Sequence, residues 1–301
     1  MWREDPIVIS ENMLNGKLWP KVSIVTPSYN QGKYIEETIR SVIMQGYPNL
    51  EFIIIDGGST DNSVEIIKKY EKHITYWVSE KDKGQTHAIN KGFEKATGDI
   101  LAYLNSDDVY MPYTLRLVAE LFDRYNVNWL TGLRSHLVDN VVISPLPAAT
   151  TKFNSKLYKK GFHVPWVLGW NQQPSTFWSA SLFNKAGRLF DESMQCSFDV
   201  DMWIRFSSFS ELVYVRAVLA MMRQHSEQKS RTLRLDFAEI EGQAGTKYQF
   251  YSLWFRKLLM KSFRFPVLRK IARIYLGHPR FTRIDWDPVA NDWKMIIKPF
   301  F

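Results

Sequence analysis

Between Lys21 and Leu104 the chain alternates short apolar runs with stretches of helical spacing, and this alternation limits the fold more than any other feature. Lys21 to Pro27 is a β-branched run closed by proline, which suits a buried strand entering a loop. Tyr34 to Gln45 carries Tyr34, Ile35, Ile39, Val42 and Ile43 at helical spacing before Gly46 and Pro48 end it. The pattern recurs in Leu50 to Ile55, with a helix start at Ser59 to Asp61, and in Ile74 to Val78, with a helical stretch through Ala88, Ile89 and Phe93. Ile100 to Leu104 supplies a further strand. Strands without polar alternation, separated by helices, predict a mostly parallel sheet covered on both faces, with ligands beyond the carboxyl ends of the strands. Further on, Leu115 to Tyr125 and Phe198 to Phe206 read as helices, Trp129 to Gly132 and Leu212 to Val218 as strands, and Ser144 to Gly161 as a loop.

Carboxylates mark the ends of these strands: Asp56 after the second, Asp82 after the third, and Asp107 with Asp108 after the fourth. Singly, such aspartates serve as turn residues or helix caps. Adjacent carboxylates repel unless a cation or hydrogen-bond donors compensate, and a hard divalent ion prefers oxygen ligands while leaving places for phosphate oxygens. Asn105-Ser-Asp-Asp108 is therefore the sharpest chemical signal in the chain.

Taken together, Ser23-Ile-Val-Thr-Pro-Ser-Tyr-Asn30, Ile55-Asp-Gly-Gly-Ser-Thr-Asp61, Asp82-Lys-Gly84 with Ala88-Ile-Asn-Lys-Gly92, and Asn105-Ser-Asp-Asp108 resemble the family 2 inverting glycosyltransferases, in the family's order and spacing over Lys21 to Tyr113. The resemblance implies a GT-A fold, an α/β architecture with a mostly parallel central sheet flanked by helices and a Rossmann-like nucleotide-binding half. It also implies that Thr26, Pro27 and Tyr29 wall a nucleotide pocket, Asp56 bonds the base, and Asp82 and Gly84 line the same pocket. Asp107 would contact the ribose or sugar, and Asp108 would ligate Mn²⁺ or Mg²⁺ on the diphosphate. Asn105 and Gly57 stand where many relatives have aspartates.

Phe198-Asp-Val-Asp-Met-Trp-Ile-Arg205 resembles the family's acidic motif, with phenylalanine in place of the usual glutamate. On that match Asp199 is the general base for the acceptor hydroxyl and Asp201 the runner-up, and the apolar neighbour would raise the pKa of Asp199 by desolvation. Met222-Arg-Gln-His225 resembles a later segment in which the histidine returns to the metal, and Gln173-Pro-Ser-Thr-Phe177 an acceptor-side loop.

Charge is unevenly placed. Lys247 to Arg283 holds ten basic residues and no Asp or Glu, more than the net charge of +8 for the whole chain. Aromatic residues interleave there, including Trp254, Phe255 and Phe263, and Pro266 would divide two helices. An interfacial helix pair on an anionic membrane and an ordinary amphipathic helix packed on the domain both fit. No nucleic-acid module accompanies the charge, so nucleic acid is not an expected partner. The expected division is an N-terminal extension over 1–20, a catalytic domain over 21–235 and a basic, aromatic, helical C-terminal extension over 236–301.

One cysteine excludes an intrachain disulfide scaffold, no signal-peptide pattern occupies Met1 to Pro20, and no apolar run is long enough to span a bilayer. A cytoplasmic enzyme, peripheral on the inner face of the plasma membrane if the basic segment binds lipid, is expected. Its reaction would transfer a hexose or related sugar from a nucleoside diphosphate donor, UDP first among them, to a glycan or lipid-linked acceptor in bacterial surface polysaccharide assembly. Two alternatives stay open: a degenerate nucleotide-sugar-binding partner subunit, and a sugar-1-phosphate nucleotidyltransferase, which should carry a glycine-rich basic loop that Thr26 to Gly32 lacks.

Overall fold

The computed structural model describes residues 5–138, 141–143, 153–163, 168, 171–226, 228, 239, 242, 247, 251–262 and 280–299. A nine-stranded mixed sheet organises the chain. Strands β1 (Val22–Ser28), β2 (Leu50–Asp56), β3 (Tyr76–Ser79) and β4 (Ile100–Tyr103) form its parallel half, with β1 between β2 and β4. Beyond β4 come β9 (Thr176–Ser179), antiparallel to both neighbours, then β6 (Trp129–Thr131), β10 (Val213–Val215) and the hairpin β12 (Arg280–Asp287) with β13 (Asp292–Pro299). A smaller sheet joins β5 (Val109–Tyr110), β11 (Ala220–Gln224), β7 (His136–Val138) and β8 (Val141–Ile143).

The uninterrupted apolar strands follow from burial on both faces. Ile24, Phe52 and Ile54 point into one core layer, whereas the alternate residues Val25, Ile53 and Ile55 point into the other. Helices α1 (Ile35–Ile43), α2 (Ser63–Lys69) and α4 (Thr114–Tyr125) cover the first face through Ile39, Ile67 and Val118. Helix α3 (Gln85–Lys95) covers the second with Ala88, Ile89 and Phe93, joined there by α6 (Ala180–Lys185) and α7 (Phe198–Phe206). Helix α3 lies so close to β1 that a Cβ on Gly92 would come within 2.3 Å of Val25 Cγ1, so glycine is required at that crossing. Trp129, Trp178 and Trp203 are fully buried together, each removing an aromatic surface worth roughly 2–3 kcal/mol from water.

Three stretches differ from their sequence expectations. Part of the expected loop over Ser144 to Gly161 is helix α5 (Ser155–Lys159), started by the Asn154 side chain, which accepts a hydrogen bond from Leu157 N. Residues 1–20 are more than an appendage where they are described, because Ile7, Met13 and Trp19 are buried and Trp19 packs edge-on against Tyr47. The C-terminal extension is helical over α8 (Leu253–Ser262), but its last described residues form the hairpin, which continues the main sheet. Phe281 and Ile284 of β12 are buried, and α4 grips β13 through the Arg124–Asp292 ion pair and a hydrogen bond from Tyr125 OH to the Trp293 carbonyl.

Helix α8 is two-sided. Tyr251, Leu259 and Met260 pack on Leu157, Phe162 and Phe281, and buried Arg256 donates to the Gly161 carbonyl. Trp254 (72% exposed), Lys257, Leu258 (48%) and Lys261 face outward. Pro266 and the rest of the basic segment up to residue 279 lie outside the described residues. No helix among the described residues is long and apolar enough to cross a membrane.

Candidate active site

Because β1, β2, β3 and β4 run parallel, the loops at their carboxyl ends open on one edge of the sheet, and the register aligns Ser28, Asp56 and Ser79 there. Asp56 is fully buried and accepts hydrogen bonds from Gly58 N, Ser59 N, Ser59 Oγ and Ser79 Oγ, at 2.5–3.1 Å. These bonds fix the loop after β2. Asn30, left-handed at φ 50°, ties the loop after β1 to it by accepting from Thr60 N. Tyr29 stands at this junction 59% exposed, its ring open to a stacking partner. Thr26 and Pro27 are buried on β1, and the hydroxyls of Thr26 and Ser28 have no hydrogen-bond partner among the described residues.

Asp82 lies over Gly57, where a Cβ would come within 2.7 Å of its carboxylate. The side chain that many relatives carry at Gly57 would thus compete with Asp82 for the same space. Asp82 Oδ1 in turn accepts from Gly84 N, and Gly84, at φ 116°, begins α3. From the first turn of α3, Gln85 donates to Asn105 Oδ1 at 2.7 Å, and Asn105 donates to Asp108 Oδ2 at 3.3 Å.

Asp108 is buried, and its Oδ1 accepts from Arg223 N at 2.9 Å. Burial, and then the charge of Asp107, push its carboxyl well above the usual range. Asp107 points the other way, with Oδ2 3.0 Å from His225 Nε2. The His225 ring lies 4.6 Å from that of Tyr34, and its Nδ1 has no partner among the described residues. Sequence matching pairs His225 with Asp108; in the structure the side chain beside the imidazole is Asp107.

Arg223, Glu37 and Tyr34 complete this corner and escaped the sequence reading. Arg223 Nε donates to the Asp107 carbonyl, its guanidinium pairs with Glu37, and it sits 5.2 Å over the Tyr34 ring. Only the closeness of Arg223 to His225 in sequence hinted at it.

No ready-made cage of three or more His, Cys, Asp or Glu side chains exists among the described residues. Asp107, Asp108 and His225 nevertheless fit a hard divalent cation. Asp108, buried with its proton affinity raised, Asp107 beside His225, and the unpartnered Nδ1 of that imidazole are oxygen and nitrogen donors of the kind a hard divalent cation takes together with phosphate oxygens.

Asp199 and Asp201 open α7, which starts one residue after Ser197. Asp199 is half-buried, accepts from Val200 N at 2.7 Å, and is pushed up to about 6 by burial, with the neighbouring Glu239 charge adding to the effect. Asp201 is fully buried between two cations, accepting from Arg205 Nε at 2.9 Å and Lys247 Nζ at 2.7 Å. Tyr103, buried at the end of β4, feels the charges of both Asp199 and Asp108, so both carboxylates lie in its neighbourhood. The loop at Gln173 joins them, since Gln173 donates to the Tyr103 carbonyl at 2.6 Å and accepts from Asn105.

Residues 23–211 match the sequence model of glycosyl transferase family 2. The chain belongs to this family. An uncharacterized glycosyltransferase of Nostoc sp. is 34% identical over 120 residues, 39% of this chain and 36% of that protein. The Bacillus subtilis protein named "Putative teichuronic acid biosynthesis glycosyltransferase TuaG" is 45% identical over 94 residues, 30% of this chain and 36% of its own length. The matched regions thus span about a third of these two relatives.

Among solved structures, S. aureus TarS (1–349) in complex with UDP-GlcNAc superposes with a TM-score of 0.58 at 17% identity, covering 74% of this chain and 67% of that one. The Pyrobaculum calidifontis mannosyltransferase PcManGT, in complex with GDP-Man and Mn²⁺, gives 0.57 at 17% identity, with 86% and 71% covered. At such identities the likeness is one of fold, and the fold of this family 2 chain is GT-A.

Proposed function

We propose that the chain is a metal-dependent, inverting glycosyltransferase that moves a sugar from a UDP-linked donor to a glycan or lipid-linked acceptor. The observation that carries this reading is the presence of two unlike carboxylates in the neighbourhood of Tyr103, at the carboxyl end of β4. One is Asp108, paired with Asp107 beside His225; the other is Asp199, alone and with a raised pKa. UDP-GlcNAc in TarS and GDP-Man with Mn²⁺ in PcManGT support a nucleotide-sugar donor and a divalent ion. TuaG supports a cell-surface polysaccharide as the acceptor class.

In this reading Tyr29, Thr26 and Pro27 wall the base and ribose, and the loop fixed by Asp56 meets the base. Asp82 and Gly84 line the pocket, and Asp107, Asp108 and His225 hold Mn²⁺ or Mg²⁺ on the diphosphate. The ion, when bound, neutralises charge on the departing nucleoside diphosphate. Asp199 takes the proton of the acceptor hydroxyl as its oxygen bonds to the anomeric carbon opposite the breaking bond to phosphate oxygen. A pKa of about 6 leaves Asp199 roughly ten to one in its basic form at pH 7, while keeping it a stronger base than an ordinary carboxylate.

Residues 21–235 form the catalytic unit in this proposal, with the hairpin docked on its sheet. The outward row Trp254, Lys257, Leu258 and Lys261 would rest on an anionic membrane surface at the cytoplasmic face, aromatic and aliphatic groups at the acyl boundary and lysines at the headgroups. Thermal-shift titration with UDP, GDP and CDP, with and without Mn²⁺, tests the donor reading. Stabilisation by UDP that requires the metal is expected, and indifference to all three nucleotides would refute it.

A further inference from the structure

Two residues beyond the matched segment 23–211 reach back to the start of α7. Glu239 is buried, and its carboxylate accepts three consecutive backbone amides: Gln195 N at 2.7 Å on Oε1, and Cys196 N and Ser197 N, both at 2.8 Å, on Oε2. Lys247 bridges Asp191 at 3.2 Å and Asp201 at 2.7 Å, holding the approach to α7 and its first turn together. Asp199 lies between these two anchorages.

We propose that Glu239 and Lys247 are positioning residues for Asp199, so that the C-terminal part of the chain completes the catalytic centre. The inference rests on Asp199 being the base. Amides at a helix start attract an anion, and a buried carboxylate on three of them fixes the backbone path entering Asp199. Once those amides lose their acceptor they must turn to water or to one another, and the loop from Gln195 to Ser197 is free to carry Asp199 off line. A displacement of about 1 Å costs up to about a hundredfold in rate.

Glu239 also acts through its charge. Among the described residues, the titratable groups whose charges act on or feel Asp199 are Tyr103 on β4, Tyr158 on α5 and Glu239. Asp201, on the same helix, turns toward Arg205 and Lys247. Glu239 supplies the anion that helps to keep Asp199 protonated at mildly acid pH.

The test uses the full chain and follows release of nucleoside diphosphate from whichever of UDP-GlcNAc, UDP-glucose and GDP-mannose it turns over best. E239Q keeps the shape and removes the charge. It is expected to move the acid limb of the kcat profile to lower pH and to reduce the plateau about tenfold, with the donor KM unchanged. A limb that stays in place overturns the proposal, whatever the plateau does. Should E239Q fail to give a cooperative melt, E239D carries the test: the charge remains but the carboxylate is drawn back from the amides, so kcat falls with the limb unmoved, and wild-type kcat overturns the proposal. D199N separates the two levels. If it keeps the wild-type rate, the assignment of the base has failed; if it is inactive while E239Q is indistinguishable from wild type, only the positioning role has failed.

Discussion

Asp199 and Asp201 stand two residues apart at the start of α7, and their surroundings divide them: Asp201 is clamped between Arg205 and Lys247, whereas Asp199 accepts from the Val200 amide. Both oxygens of Asp201 are taken up by cations, whereas burial raises the Asp199 carboxyl and makes it a better proton acceptor. D199N is therefore expected to lower kcat by roughly a hundredfold to ten-thousandfold with the melting temperature unchanged. D201N should instead cost roughly 1–3 kcal/mol of stability, measured by denaturant unfolding, because it removes the buried charge that pairs with half-buried Arg205 and exposed Lys247. The opposite pattern would move the base to Asp201.

The pH profile follows from the same carboxylate. With Asp199 pushed up to about 6, it is charged above that pH and protonated below, so a mechanism that needs the charged form loses rate as pH falls. The logarithm of kcat/KM is expected to bend near pH 6 and to drop by about one unit per pH unit below it. A rate that stays level down to pH 4.5 would rule out Asp199 as the titrating base.

The parallel half of the sheet and the loops at its edge were legible in the sequence because strands buried on both faces write themselves as continuous apolar runs, as at Phe52 to Ile55. The pairing of Asp107 with His225 was not, since His225 comes from β11, a strand of the second sheet whose contacts are set by long-range packing. The Arg223–Glu37 clamp was hidden for the same reason. The C-terminal hairpin left no clear strand signal, because Phe281 and Ile284 are three residues apart and buried in different clusters while Arg283 and Asp285 pair at the margin, so no regular polar–apolar alternation marks β12. Glu239 left no local signal, because its three partners lie more than forty residues earlier.

Metal dependence can be read at Asp107 and His225. Chelation with EDTA is expected to weaken UDP binding and abolish donor turnover, with Mn²⁺ or Mg²⁺ restoring both. H225A should raise the Mn²⁺ concentration needed for half-maximal activity by roughly tenfold or more, while leaving the acid limb set by Asp199 in place. Full activity in EDTA, or a Mn²⁺ requirement untouched by H225A, would remove His225 from the ion.

At the opposite edge of the sheet Glu51 offers a stability test that should leave catalysis alone. Its carboxylate accepts from Ser23 Oγ, Thr97 N and Thr97 Oγ1, at 2.5–2.7 Å, and pairs with Lys21 at 2.9 Å, joining the starts of β1 and β2 to the turn before β4. Burial pushes this carboxyl up, but these donors outweigh it and bring it down to about 2. A depressed folded-state pKa stabilises the fold fully above the unfolded value of about 4.3, and that contribution fades as pH falls toward 2. E51Q should thus lose roughly 1–3 kcal/mol at pH 7 in urea unfolding, with the gap to wild type narrowing steadily below pH 4.5 and donor turnover at pH 7 unaffected. A gap of equal size at pH 7 and pH 3 would mean that the ionisation of Glu51 does not carry its contribution to stability.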